Sequence, residues 1–317
     1  MSGPGSSPVG VLVMAHGTPS TPEEISPFYT AIRRGRPPTA EQLAELHARY
    51  GAIGGTSPLR ERTAAQVAGL AAALESAEPG RFRVEFGGKH TAPSIEDAVA
   101  ALATDRVEEI VGLVLTPHQS NAGSGEYFER ARRAAEDAVP ALAFVPIPFW
   151  HRADGVAALL AARTASAIDA LDEKARSRAV ILFTAHSVPF RSLADDDPYP
   201  VQVGESAADV ADLLGLGDQF ARSWEVAWQS AGRTPDPWLG PDLLSEIRRA
   251  AADGATAVVV CPVGFVSDHL EILYDLDVEA AGVARDAGIA FARTESLNDD
   301  PRFLAALAGV VRAADRR

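Results

Sequence analysis

A chain of 317 residues is long for one compact domain and suits two. With 47% hydrophobic and 23% charged residues it has a globular composition, which excludes a wholly disordered chain. A net charge of −14 argues against general nucleic-acid binding, and the single cysteine, Cys261, excludes an intrachain disulfide or an all-cysteine metal site.

The opening MSGPGSSPVG lacks a basic start and an apolar run, so it reads as a short disordered tail and not as a signal peptide. An apolar, β-branched run at residues 9–15 predicts a strand, and it ends on Ala15-His16-Gly17-Thr18-Pro19. Thr21-Pro22-Glu23-Glu24 predicts a helix start, with a capping-box pattern and proline at the first helical position. Arg33, Arg34, Arg36 and Arg49 then concentrate positive charge in an acidic chain, around a second capping box at Thr39-Ala40-Glu41-Gln42. Guanidinium forks bind carboxylates in bidentate fashion, although surface charge explains any one of these arginines equally well. The stretch GGTSPL adds backbone N–H groups and the Ser57 hydroxyl, so an anionic ligand with carboxylate arms suits this region.

Further strands are predicted at residues 82–87, 109–116 and 143–147, with a helix opened by Ser94 and the acidic first turn of Glu96 and Asp97. A break near residue 150 precedes a second set of runs at 179–185, 224–229, 255–262 and 289–293. A last helix, residues 300–314, can pack on either half. Strands apolar on both faces, alternating with amphipathic helices, predict an α/β fold. The expected architecture is two Rossmann-like domains, each a four-stranded parallel sheet flanked by helices. They are placed at residues 9–150 and 151–299, with residues 300–317 as a C-terminal helix packing back on the body. The longest apolar stretches are too short and proline-broken to span a bilayer, so a cytoplasmic protein is expected.

In such sheets ligands bind beyond the carboxyl ends of the strands. Four of the seven histidines, His16, His118, His186 and His269, follow predicted strands, which places the active site in the cleft between the domains. A lone histidine there is more often structural, but four together favour a metal or proton-transfer site. The stretch GFVSDHLEILYDLDVEAAG, if helical from Ser267, puts Glu271, Asp275 and Glu279 in a row on one face. A solvated acidic helix face has the same spacing. Against that, like charges four apart repel, and the row starts directly after a buried-looking strand. A carboxylate ladder entering a pocket suits a hydrated divalent cation. His186, in FTAHSVPF, either binds a borderline metal or accepts a proton near neutral pH. No nucleophile-elbow, dinucleotide-binding or P-loop motif is present, and Cys261 lies in an apolar run where a thiol is normally inert.

Several stretches together resemble the ferrochelatases, enzymes that insert ferrous iron into a porphyrin. They are MAHGTP, FYTAIRRGR, RYGAIGGTSPL, GGKHTAPSIEDA, LTPHQSNAGSGEYFERA, AHSVP, DDPYPVQV, AWQSAGRTPDPWLGPD and FVSDHLEILYDLD, and the resemblance as a whole covers about residues 11–312. Within the family the chain is most similar to the coproporphyrin III ferrochelatases of Gram-positive bacteria. The RRGR segment and the short polar stretch before GAIGG are typical of that branch, and the hydrophobic lip of eukaryotic protoporphyrin enzymes is missing. The Ala- and Arg-rich composition fits the actinobacterial type.

The resemblance implies a chelatase-like fold and a lyase of haem biosynthesis that makes iron coproporphyrin III and releases two protons. Another metal or tetrapyrrole, such as protoporphyrin IX, or a non-catalytic haem or iron carrier, is the alternative. His186 and Glu271 are implied as catalytic iron ligands, and Asp275 and Glu279 as an extension of the ladder. Arg33, Arg49, Tyr50, Ser57, Lys89, His90 and Tyr127 are implied to hold the porphyrin. Relatives from bacilli carry Tyr where this chain has His16, so His16 is implied as axial ligand of the product iron. Some actinobacterial relatives hold a [2Fe–2S] cluster on several cysteines, which Cys261 alone cannot supply. The expected partners are the porphyrin and Fe2+ as substrates, with no permanently bound cofactor and no nucleic acid or membrane. A monomer, with transient hand-over to the next haem-pathway enzyme, completes the expectation.

Overall fold

Strands and helices alternate from end to end, as the apolar runs require. The computed structural model describes residues 7–216, 223–232 and 234–315, so the first six residues of the expected tail lie outside it. In chain order the elements begin β1 (Val9–Ala15), α1 (Ile25–Ile32), α2 (Ala40–Ala52), α3 (Leu59–Ala77), β2 (Phe82–Gly88), α4 (Ile95–Thr104), β3 (Glu109–Val114), α5 (Ser124–Ala138) and β4 (Ala143–Ile147). They continue with α6 (Val156–Asp169), α7 (Glu173–Arg176), β5 (Ala179–His186), α8 (Tyr199–Leu213), β6 (Trp224–Gln229), α9 (Leu243–Ala252), β7 (Ala257–Cys261) and α10 (Leu270–Leu273). A π-helical turn (Asp275–Ala280), α11 (Ala281–Asp286), β8 (Ala290–Arg293) and α12 (Pro301–Asp315) close the chain.

The strands form two four-stranded sheets, in the orders β2-β1-β3-β4 and β6-β5-β7-β8, and every pairing is parallel. The fold is therefore α/β, with two parallel sheets flanked by helices. Central strands are apolar on both faces because helices cover both: Val11, Leu12, Val13 and Met14 of β1 are fully buried, as are Ile181, Leu182 and Phe183 of β5. Each such side chain contributes about 1.5–3 kcal/mol relative to exposure.

By contacts the chain does not divide at one point. One unit holds Met1–His47, Pro58–Ala153 and Asn298–Arg317, and the other holds Ala48–Ser57 and Asp154–Leu297. In the first unit, α4 packs against β2 and α5, with Ile95, Val99 and Leu102 buried alongside Leu12 and Met14. The last helix joins this unit: α12 lies on α3, β3 and β4, with Phe303 against Trp150 at 5.6 Å. In the second unit, Leu243 and Ile247 of α9 pack with Leu182, Val258 and Val260.

Two helix starts follow the capping chemistry in the sequence. Ser94 and Asp97 exchange reciprocal bonds of 2.9 and 3.0 Å, and Thr39 and Gln42 do so at 3.0 and 3.2 Å. The start expected at Thr21 differs. Its side chain makes no cap bond, Pro22–Glu24 is a 3-10 turn, and α1 begins only at Ile25. The Glu24 carboxylate instead accepts from the Ser20 N–H at 2.7 Å, one residue earlier than the pattern suggested.

The helix expected from Ser267 is also different. Residues 267–269 are not helical, with His269 extended, α10 starts at Leu270, and the chain then widens into the π turn, where the Glu279 N–H reaches the Tyr274 carbonyl five residues back at 3.0 Å. The cause is visible in the core side of the segment. Ile272, Leu276, Ala280 and Ala284 are all fully buried, at strict spacings of four. An α-helical step of four overshoots a full turn by about 40°, so a strict row of fours drifts off the core unless a wider turn takes up the excess.

Candidate active site

In the second unit the site begins where β5 stops. His186 is the last residue of β5 and pairs in register with Gln229, the last of β6. The Gly264 N–H bonds the Thr184 carbonyl at 3.0 Å, which brings the loop after β7 onto the end of β5. A Cβ at Gly264 would lie 2.5 Å from the Ala185 Cβ, so only glycine permits this approach.

His186 Nδ1 meets the Ser187 carbonyl, and His269 Nδ1 meets the Ser267 carbonyl at 2.9 Å. A carbonyl only accepts, so both Nδ1 atoms donate and both Nε2 atoms turn outward. These two Nε2 atoms face the two oxygens of one carboxylate, at 3.5 Å from Glu271 Oε1 and 3.6 Å from Oε2. The Phe265 ring lies near both imidazoles, 6.4 Å from His186 and 5.1 Å from His269. Backbone anchors fix the rest: Tyr199 Oη donates to the His186 carbonyl at 2.9 Å, and Gln229 Nε2 donates to the Glu271 carbonyl at 2.9 Å. Gln229 Oε1 in turn accepts from Thr184 Oγ1 at 2.7 Å.

Asp275 is buried one turn along from Glu271 and accepts from Arg49 and from the Ser230 hydroxyl. Ser230 adopts a left-handed backbone at φ 60°, a conformation that costs a non-glycine residue about 1–2 kcal/mol and here aims the hydroxyl at Asp275. The Arg49 guanidinium lies 4.8 Å over the Tyr274 ring, and its buried Nε has no hydrogen-bond partner among the described residues.

These contacts set the charges. Burial works against a charged His186, but Glu271, the Ser187 carbonyl and Asp275 outweigh it and push the imidazolium up to about 9. Burial likewise works against a charged Glu271, yet His186 and His269 hold its carboxyl well below the usual range. Asp275 goes the other way. Burial raises it to about 6, Arg49 opposes the rise, and Glu271 adds to it. Burial disfavours the Arg49 cation, and Asp275, Glu279 and Glu271 together more than compensate.

In the first unit the parallel pairing of β1 with β2 runs on past the strands. The Lys89 N–H bonds the Ala15 carbonyl at 2.9 Å, and the His90 N–H bonds the His16 carbonyl at 3.2 Å. Gly17, at φ 85° and packed on Thr91, turns the chain directly after His16. The His16 and His90 rings therefore stand 4.7 Å apart, each with Phe28 edge-on at 5.8 and 6.4 Å. Burial, then His16 and Lys89, lower His90 to about 4, so it is a neutral imidazole. Lys89 Nζ pairs with Glu126 at 2.6 Å and lies 4.8 Å over the Tyr127 ring. Burial raises the Tyr127 hydroxyl above its ordinary value, so it is a neutral donor.

The expected site residues thus fall into groups. His186 and Glu271 meet directly. Asp275 is turned to Arg49 and Ser230, and Glu279 is felt there only through its charge. Among the described residues no three His, Cys, Asp or Glu side chains are gathered as a closed metal cage. Tyr50 and Ser57 are buried, and Arg33 is half-buried at the end of α1 with its guanidinium 5.5 Å from the Tyr29 ring. His118, expected at the pocket, is instead buried against His151 with rings 5.4 Å apart, and burial, then His151, push it down to about 3. Phe265, Ser230, Tyr199 and Gln229 escaped sequence reasoning, and His269 was noted only as a strand-end histidine. All four lie inside stretches that carry the family resemblance, but nothing in those stretches assigns them individual roles.

A family model described as Ferrochelatase matches residues 8–315. The coproporphyrin III ferrochelatase of Geobacillus kaustophilus is 41% identical over 304 residues, 95% of this chain and 94% of that one. The ferrochelatase of Thermus thermophilus is 41% identical over 322 residues, 96% and 99% of the two chains. Among solved structures, the sirohydrochlorin chelatase SirB from Bacillus subtilis with cobalt superposes with a TM-score of 0.54 at 11% identity, covering 98% and 96%. That likeness is one of fold alone, whereas the family match and the identity across nearly the whole length settle descent: the chain belongs to the ferrochelatase family.

Proposed function

We propose that the protein inserts ferrous iron into coproporphyrin III in haem biosynthesis, releasing the two pyrrole protons. The observation that carries the reading is Glu271, held between the Nε2 atoms of His186 and His269 in a member of this family. Relatives about 40% identical carry the name coproporphyrin III ferrochelatase, which supports the choice of porphyrin. The arginines suit four propionates, and the orphaned Arg49 Nε has its hydrogen bond to gain from an arriving carboxylate.

In this reading iron and pyrrole protons are handled by His186 and Glu271. At neutral pH His186 carries a proton on Nε2 as well as on Nδ1, and the Nε2 proton must leave before that nitrogen presents a lone pair to iron. Glu271 stays ionised and keeps an acceptor beside the ring. Asp275 and Glu279 pass the hydrated cation inward. Arg33, Arg49, Tyr50, Ser57, Lys89, His90 and Tyr127 hold the porphyrin. His16 is the axial ligand of the product iron, since Nδ1 donates to the Gly17 carbonyl at 3.3 Å and Nε2 carries the lone pair. The enzyme works in the cytoplasm as a monomer.

Anaerobic Fe2+ and coproporphyrin III are expected to give the metalloporphyrin absorption spectrum with the wild type. His186→Ala is expected to lower the rate at least about 100-fold. A wild type without turnover overturns the assignment. Turnover of protoporphyrin IX in preference to coproporphyrin III overturns the choice of substrate.

A further inference from the structure

A π turn is an exposed weakness in a helix. Its bonds are wider than α-helical ones, and such turns survive as single turns where surroundings hold them. Here one guanidinium supplies the hold. Arg293, the last residue of β8, donates through Nε and Nη2 to the Asp277 carboxylate at 2.6 and 2.9 Å. Its Nη1 donates to the Thr294 carbonyl at 3.0 Å, and Nη2 lies 3.5 Å from Asp268. Asp268 is itself fixed by the Ser296 hydroxyl at 2.8 Å. The Arg293 side chain is only 17% exposed, and although Asp277 is partly open to solvent, the two-point fork fixes the geometry of the pair.

The placement of the two aspartates matters more than their number. Asp268 precedes α10, and Asp277 lies within the π turn, so they bracket Glu271 and Asp275. Asp277 comes two residues after Asp275 and therefore sits on the opposite side of the turn. Arg293 grips that far side and leaves the ladder carboxylates untouched. We propose that Arg293 is a positioning residue for metal delivery: it fixes the rotation of the π turn so that Glu271, Asp275 and Glu279 stay in one line. The proposal rests on the reading of these carboxylates as the path of the incoming cation.

Arg293→Ala and Asp277→Asn test it, with Zn2+ as an air-stable metal probe beside anaerobic Fe2+. Both variants are expected to raise the metal KM tenfold or more. Coproporphyrin affinity, read by fluorescence quenching, is expected to stay within twofold. The double variant is expected to be no worse than the worse single, because both remove one contact. A metal KM within twofold of wild type in folded variants overturns the proposal. So does a loss of porphyrin affinity in step with metal KM, which marks general collapse of the unit. If Arg293→Ala fails to fold, Asp277→Asn alone decides, since that side chain is 39% exposed and its substitute is isosteric. Asp275→Asn separates the two levels. If it is silent, the cation path and the clamp fall together, whereas an impaired Asp275→Asn beside a silent Asp277→Asn sinks only the clamp.

Discussion

His186 and Glu271 share a proton whose position decides when the site can take a metal. With His186 raised to about 9 and Glu271 held low, the free enzyme at neutral pH carries an imidazolium facing a carboxylate. A metal ion must then compete with the proton for Nε2. As pH rises towards about 9 the proton leaves more readily, so the metal KM is expected to fall, and to level off above that value. Steady-state metal titrations across the pH range, at saturating coproporphyrin, check the sign. A metal KM that rises over this span contradicts it. The same pair sets two stability limits. His186, raised above its ordinary value, contributes stability that is present below about 6.5 and lost as pH climbs through about 9. Glu271, lowered, contributes stability present above its ordinary value near 4.5 and lost as pH falls through its depressed one. The two ends of this pair were legible as strand-end histidine and helix carboxylate. The tautomers were not, because they depend on carbonyls that no motif marks.

At the scale of elements, the π turn is where pattern reading stopped short. Glu271, Asp275 and Glu279 were read as a row on an ordinary helix, whereas Asp275–Ala280 is a π turn. The sign was present one residue along, in the strict four-residue spacing of Ile272, Leu276, Ala280 and Ala284. That spacing also yields a direct experiment. Val278 is 42% exposed, so deleting it removes little packing. The buried row then reads four, three, four, the spacing of a plain α-helix. The deletion variant is expected to fold, with a melting temperature lower by only a few degrees. The wider turn that spaces Asp275 from Glu279 is lost in this variant, so the metal KM is expected to rise about tenfold or more while porphyrin affinity holds. Circular-dichroism melting and the two titrations check both halves. A variant that melts far lower contradicts the account of the core row. One that keeps the parental metal KM contradicts the functional use of the turn.

For the molecule as a whole, the two sheets were legible because eight short strand-like runs stood apart in the sequence, and the central ones, β1, β3, β5 and β7, are apolar on both faces as a buried parallel strand has to be. The destination of α12 was not legible. An amphipathic helix announces that it will be covered but not by what, and residues 300–314 suited either half. Packing decides it: Phe303, Leu304, Leu307, Ala308 and Val311 are buried, and the helix lies on α3, β3 and β4. Arg312 pairs with Glu78 at 2.6 Å, and Arg81 forks onto Asp315, so the far end is tied to the same unit. The chain thus returns after residue 297 to complete a core begun at residue 9. Phe303 is the largest fully buried side chain on this helix. Phe303→Ala should therefore cost about 3–5 kcal/mol, the lost transfer energy plus the cavity left against Trp150. Hydrogen exchange should accelerate first in α3, β3 and β4, the elements that α12 covers. Unchanged protection there, with a melting temperature equal to the parent, would place the stabilising role of this helix elsewhere than in its apolar face.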